Sequence, residues 1–295
     1  MDKSPNRFEL TTDLTPAGDQ PAAISALVKG VNNVHRHQVL LGVTGSGKTY
    51  TVANVIQAVQ KPTLVIAHNK TLAAQLTSEY RRYFPKNAVE YFVSYYDYYQ
   101  PEAYLPTSDT YIEKEAQIND EIDRLRHAAT QAVLSRRDTI VVASVSCIYG
   151  LGSPAEYEAA RMVVTRELVI SREAIISKLV ALQYQRNDTE LTRGTFRSRG
   201  GILEIMPVNS QRIFRVELEG SKVAQITEID PVAGTITGQP RVVVIFPVRH
   251  FVTPSQEMER ALNDIEVELV DRLKLLNQEK KILEVDRLAR RTRYD

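Results

Sequence analysis

Residues 42–49 read GVTGSGKT and match the phosphate-binding pattern GxxxxGK[ST] in full. Closely spaced glycines let backbone N–H groups close on a phosphate chain, and the following helix turns the positive end of its dipole toward it. In such a loop, here Gly42, Thr44, Gly45, Ser46 and Gly47, the ammonium of Lys48 reaches the β and γ oxygens and the Thr49 hydroxyl binds Mg2+. The expected chemistry is binding of a nucleoside triphosphate. Hydrolysis needs more, namely an acid at the end of a neighbouring strand to hold the metal and order the attacking water. The run TIVVAS at 139–144 ends in serine, and Glu228 and Asp230 lie far from the loop in sequence. The chain is therefore expected to bind nucleotide without turning it over alone.

A second stretch is compositionally unusual. Of the 14 tyrosines, seven (Tyr91, Tyr95, Tyr96, Tyr98, Tyr99, Tyr104 and Tyr111) fall within residues 90–117. In an extended segment Tyr96 and Tyr98 point to one face while Tyr95 and Tyr99 point to the other, which does not suit a half-buried core strand. Two extended runs, 90–99 and 109–118, flank the proline-containing QPEAYLPTS and predict a long hairpin with its rings largely uncommitted to a core. Exposed rings can stack on bases or grip a protein. From Asn87 to Asp123 there are nine acidic residues and one basic residue, Lys114, so phosphate repels the segment and DNA would have to be delivered to it. The residues alone leave both readings open, a wedge between DNA strands or a protein-binding surface.

These residues need elements to hold them. The near-apolar runs QVLLG (38–42), TLVIA (63–67) and TIVVAS (139–144) alternate with helical patterns through TVANVIQAV and TLAAQLTSEYRRYF. That is the mark of an α/β fold with a parallel sheet buried on both faces, its polar loops at the ligand edge. From about 153 to 247 short alternating strands broken by Gly, Pro and Asn predict an antiparallel β-rich second domain, entered through a helix near 172–183. After Pro254, Met258, Leu262, Ile265, Leu269, Leu273 and Leu276 form one long amphipathic helix that runs on without a glycine cap or proline stop, as in a truncated chain. The expected divisions are 1–89, 90–117 (the hairpin), 118–152, 153–247 and 248–295.

Composition narrows the class. The 295 residues, 43% hydrophobic and with a net charge of +1, suit two globular domains with no global charge bias. The single cysteine, Cys147, excludes an internal disulfide and suits a reducing compartment. No apolar run is long enough to span a bilayer. A cytoplasmic location with no membrane partner is expected.

The segments GDQPAAI, GVTGSGKT, AHNKTLAAQL, FVSYYDYYQPEAY, ASVSCIYGLG and RGTFRSRGG together resemble the UvrB family, the damage-verifying subunit of the bacterial nucleotide-excision-repair excinuclease. The resemblance implies a RecA-like, helicase-type P-loop domain with an inserted β-hairpin that threads between DNA strands. It also implies an inserted α+β domain that docks on UvrA, with UvrC a partner of the full-length protein and damaged DNA the substrate. Carried over by residue, Gln20 belongs to the adenine-reading motif for ATP. Tyr95 and Tyr96 would probe the damaged strand, Tyr98 and Tyr99 would pack around the clamped strand, and Tyr104 and Tyr111 would lie further along the hairpin. Arg186, Arg197, Arg199, Arg215 and Glu217 fall where the family contacts UvrA. Arg197 and Arg199, two apart on a strand, would project from one face as a basic pair. The chain departs from the family at Gly201, where an acid is usual, and the family's hydrolytic acids have no counterpart before Asp295. Two other readings are the UvrA-binding module of a transcription-repair coupling factor, which lacks the phosphate loop, and a P-loop small-molecule kinase, which leaves the tyrosines and arginines unused.

Overall fold

The computed structural model describes residues 7–94, 96–100, 103–105, 110–112, 115–149, 151–251 and 255–294. Helix α1 (Gln20–Asn32) opens with a proline in its first turn, where no N–H is needed. It packs on α2 (Lys48–Val59), which springs directly from the glycine loop. After α2 come β1 (Thr63–Ile66), α3 (Lys70–Tyr83) and β2 (Ala88–Phe92). Four short strands follow: β3 (Tyr96–Gln100), β4 (Ala103–Leu105), β5 (Thr110–Ile112) and β6 (Glu115–Ile118). Then α4 (Asp120–Ser135) leads to β7 (Thr139–Ala143).

Strands β1, β7 and β2, in that order, form a wholly parallel sheet. Ile140 and Val142 of central β7 are fully buried, as a strand covered on both faces requires. Ala53, Ile56, Ala73 and Tyr80 of α2 and α3 cover one face, and Ala129 of α4 packs against Phe92 and Ala143 on the other.

Two sequence expectations change here. Residues 38–42 form no strand, and Val39 and Leu41 are 88% and 94% exposed. A strand needs a hydrogen-bonding neighbour, and none is supplied among the described residues. The extended run 90–99 is not one element either. Its first part belongs to β2 in the parallel sheet, and antiparallel pairing begins only at Tyr96.

The second unit begins with α5 (Pro154–Ala160), β8 (Met162–Thr165) and α6 (Arg172–Ala181), the helix expected near 172–183. There follow β9 (Gln185–Arg186), β10 (Thr195–Arg199), β11 (Ile202–Met206), β12 (Ile213–Glu219), β13 (Lys222–Ile229), β14 (Ile236–Gly238) and β15 (Val242–Ile245). Strands β10 to β14 form an antiparallel meander, with two-residue β9 added in parallel at the edge. The inner face, Phe196, Leu203, Ile205, Val216 and Ile226, packs on Ile175 and Leu179 of α6 and on Val164 and Ile245 of the β8–β15 pair.

The expected single C-terminal helix is two, α7 (Ser255–Gln278) and α8 (Ile282–Tyr294), which pack on each other. Lys280 takes the left-handed conformation (φ 60°), the Lys281 N–H donates to Leu276 O and the Lys280 N–H to Asn277 O. This is a Schellman stop made without glycine, so no glycine announces it. Among the described residues no helix is long and apolar enough to cross a membrane.

Helix α4 also meets the second unit along a polar stripe at helical spacing. Arg124 Nη1 lies 3.4 Å from the Asn209 carbonyl, and Asp120 lies 3.8 Å from Arg193. His127 stacks on His250 at 3.8 Å and sits 3.1 Å from the Tyr157 hydroxyl, while Thr130 reaches His250 Nε2 at 3.1 Å. Burial, then the charges of Arg193 and Arg126 and the neighbouring His250, push His127 down to about 2; burial and Arg126 push His250 down to about 4. Asp123, with Arg193, Arg126 and Arg249 around it, has its carboxyl raised by burial. A histidine held neutral stabilises the fold above its unfolded pKa near 6.5, and that contribution is lost as pH falls toward the folded value. Going from pH 7 to pH 5 should therefore cost about 2 kcal/mol at His250. Thermal melts of the wild type and of His250→Gln check this, and the substituted chain should show the smaller acid shift.

Candidate functional site

The glycine loop has the backbone that its sequence demands. Gly45 and Gly47 adopt left-handed φ values of 83° and 75°. A Cβ built on Gly42 would stand 2.6 Å from Ser46 Oγ, and one on Gly47 would stand 2.5 Å from Gln20 Nε2. Gly47 is also the N-cap of α2 and offers no side-chain cap, and there is no acidic residue in the first turn. The helix therefore begins with its positive end uncompensated, which suits an anion. The Lys48 ammonium donates to the carbonyls of Gly42 (2.9 Å) and Val43 (2.8 Å), spanning the loop, and Thr49 lies half-buried in the first turn of α2. Thr44 and Ser46 are exposed on the loop. Gln20 is brought in from α1: its Oε1 accepts from the Ala17 N–H and its Nε2 donates to Ser46 O, both at 3.1 Å. The residues present fit a polyphosphate.

Strands β1, β2 and β7 end in Ile66, Phe92 and Ala143, so no carboxylate terminates the sheet beside the loop. Among the described residues no group of three or more His, Cys, Asp or Glu could hold a metal ion.

The tyrosine stretch leaves the carboxyl end of β2. Strand β3 pairs antiparallel with β6 and β4 with β5, and Tyr104 stands directly opposite Tyr111. A register shift between Tyr96 and Tyr98 puts an extra residue on β3 and interrupts the simple alternation expected for that run. Tyr99 pairs with Ala116 in the backbone ladder, and Tyr95 lies outside the described residues. Tyr91 is not an uncommitted ring. It belongs to β2, and its hydroxyl donates to Lys70 O at 2.9 Å.

On the second sheet, register brings together residues that the sequence scatters. Arg197 stands opposite Glu204, Glu204 opposite Arg215, and Arg215 opposite Thr227. One step along, Arg199, Ile202, Glu217 and Gln225 form the parallel row. Arg197, Arg199, Arg215 and Glu217 thus share one face. Arg186 does not, because it pairs with Phe196, whose side chain belongs to the core face. Arg197 is not the free half of a basic pair. It is hydrogen-bonded to Glu204, which also takes Arg215 Nε (3.0 Å) and Nη2 (2.8 Å). Arg199 is exposed and donates to the Asp188 carbonyl, and Arg186 pairs with the Asp188 carboxylate at 3.0 Å. Glu204 had no signal of its own in GILEIMPV, since only strand pairing reveals its neighbours.

Gly201 has no room for a side chain unless its neighbours shift. It sits in the β10–β11 turn, and a Cβ there would stand 2.9 Å from the Leu218 carbonyl, beside the register shift at which β13 carries one extra residue, Ala224, opposite β12. Gly201→Asp should lower the melting temperature, because the carbonyl it meets is main chain and cannot rotate away. Gly47→Ala should weaken nucleotide binding and destabilise the loop by about 1–2 kcal/mol, the cost of a left-handed residue with a Cβ. Calorimetric melts and a nucleotide titration check the two.

Three family models match the chain: a type III restriction enzyme res subunit over residues 13–143, a UvrB interaction domain over 162–251 and a UvrB third helical domain over 256–295. The UvrABC system protein B of Bacillus licheniformis is 57% identical over 98% of the chain, that of Bacillus subtilis 56%, and that of Listeria monocytogenes 55%. In each case the match covers 44% of the relative, so the chain spans less than half of their length. With 55–57% identity over 98% of its length, and with two UvrB-specific domains in sequence after a helicase-like one, the chain belongs to the UvrB family.

Proposed function

We propose that the chain is the nucleotide-binding and partner-docking portion of a DNA-damage verification subunit of the UvrABC excinuclease. The observation that carries this reading is the placement of the tyrosine strands at the carboxyl end of β2. In a parallel α/β sheet ligands bind at the carboxyl ends of the strands, so nucleotide held by the glycine loop and the tyrosine segment would share one edge. ATP would be held by the loop from Gly42 to Thr49, with Lys48 on its phosphates, Thr49 toward Mg2+ and Gln20 toward the base. Bound ATP–Mg2+ would supply the charge that these donors gather around. Because β1, β2 and β7 end without a carboxylate, this chain holds nucleotide without turning it over, and hydrolysis would need acids from elsewhere in a complete protein. The face bearing Arg197, Arg199, Arg215 and Glu217 would dock on UvrA, and UvrC would join the full-length assembly. Tyr95, Tyr96, Tyr98, Tyr99, Tyr104 and Tyr111 would form a wedge of rings between DNA strands. Its acidic setting makes delivery of the DNA by UvrA a requirement.

Three measurements test the reading. The purified chain should bind ATP weakly and show no turnover above background; turnover abolished by Lys48→Ala would contradict it. Arg199→Ala, which leaves the Glu204 contacts intact, should weaken a UvrA pull-down, and unchanged capture would remove the docking assignment. In a full-length family member, Tyr95→Ala with Tyr96→Ala should impair loading on lesion-bearing duplex by about 2–6 kcal/mol, the loss of two stacked bases. If that pair instead loses UvrA and keeps DNA, the tyrosines are a protein-binding surface.

A further inference from the structure

The docking face contains a carboxylate that is too well placed to be one more surface charge. Glu204 of β11 lies in register between Arg197 of β10 and Arg215 of β12 and bonds to both. Its side chain is 9% exposed, whereas those of Arg197 and Arg215 keep 26% and 37%. The carboxylate is covered and the two guanidinium groups reach the surface. Burial alone would raise the Glu204 carboxyl, but the bonds from Arg197 and Arg215 outweigh it and hold it below the usual carboxylate range.

We propose that Glu204 is a positioning residue, which holds Arg197 and Arg215 in the orientation that an acidic partner surface meets. This rests on the docking reading above, in which that surface belongs to UvrA. A free arginine loses rotamer freedom when a partner immobilises it. Here the immobilisation precedes binding, because one carboxylate fixes both side chains through their Nε atoms and a third bond to Arg215. Glu204 therefore raises affinity without touching the partner. Exposed Arg199, which donates to the Asp188 carbonyl, is outside the clamp.

Charge gives the idea a sign that distinguishes it from simple electrostatics. The row of two arginines and one glutamate carries +1. Glu204→Gln raises it to +2, so a face that worked only by its potential would bind an acidic partner more tightly. Positioning predicts the opposite, because a neutral amide cannot accept strongly from both guanidinium groups.

The experiment measures UvrA affinity of the 295-residue chain for wild type, Glu204→Gln, Glu204→Asp and Arg199→Ala, with a thermal melt of each. Expected is a loss of about tenfold for Glu204→Gln, equivalent to about 1.4 kcal/mol, with the second unit still folded. Equal or tighter binding by that variant overturns the proposal. Should it fail to fold, Glu204→Asp decides. It keeps the charge but shortens the reach, so it should also bind less tightly, and wild-type affinity overturns the proposal. If Arg199→Ala binds normally, the docking reading itself fails. If Arg199→Ala weakens binding and the Glu204 variants do not, only the positioning role is lost.

Discussion

Polar groups taken out of water need partners, and helix α4 brings partners together for His127, Thr130 and Gln131 on the side away from its apolar packing. Toward the parallel sheet it presents Ala129 to Phe92 and Ala143, and Arg126 lies over the Phe92 ring at 4.1 Å while donating to Val93 O. Toward the second unit it presents His127, Thr130 and Gln131, which are bonded to Tyr157 and His250. Leaving such groups unpaired would cost about 1–3 kcal/mol each, so the seam has a narrow choice of register. The consequences extend in both directions. Asn119, the residue after strand β6, caps α4 by accepting from the N–H groups of Glu121 and Ile122, so the last tyrosine-region strand is anchored to the same helix. At its other end α4 runs into β7, the central strand of the sheet.

The glycine loop illustrates a different economy. Nothing in it is tightly packed, and most of its residues are exposed. Its shape comes from two left-handed glycines and from Gln20 reaching across to Ser46 O. Lys48 is held on two carbonyls that an incoming phosphate would replace as acceptor. A loop built from backbone and one flexible ammonium can bind and release anions without disturbing the core beneath it, where Ala53 and Ile56 of α2 are buried.

On the second unit the sheet separates its apolar face from its charged face by alternation alone. Phe196, Leu203 and Val216 point inward to the core, and their sequence neighbours Arg197, Glu204 and Arg215 point outward. A one-residue slip would bury two arginines and expose the core, so the hydrophobic face fixes the charged row as firmly as the ion pairs do. Gly201 in the β10–β11 turn lies close to the Leu218 carbonyl of β12, where an extra residue of β13 shifts the register between the two strands.

The sequence by itself determined the glycine loop's backbone, since the left-handed turns at Gly45 and Gly47 are local geometry. It likewise determined α3, α6, β7 and strands β11 to β13, because their apolar periods match the faces that they bury. Only the tertiary structure decided what depends on residues distant in the chain. Residues 38–42 read as a strand, but a strand exists only with a neighbour to bond. Tyr91 read as one of a row of exposed rings, until pairing with β7 drew its segment into the parallel sheet. Lys280 stopped a helix without the glycine that usually signals a stop. Arg197 read as half of a free basic pair, two apart on one face. Its ion partner comes from the next strand, seven positions on, and composition or period carries no trace of that pairing because a period fixes a face and only register fixes a neighbour.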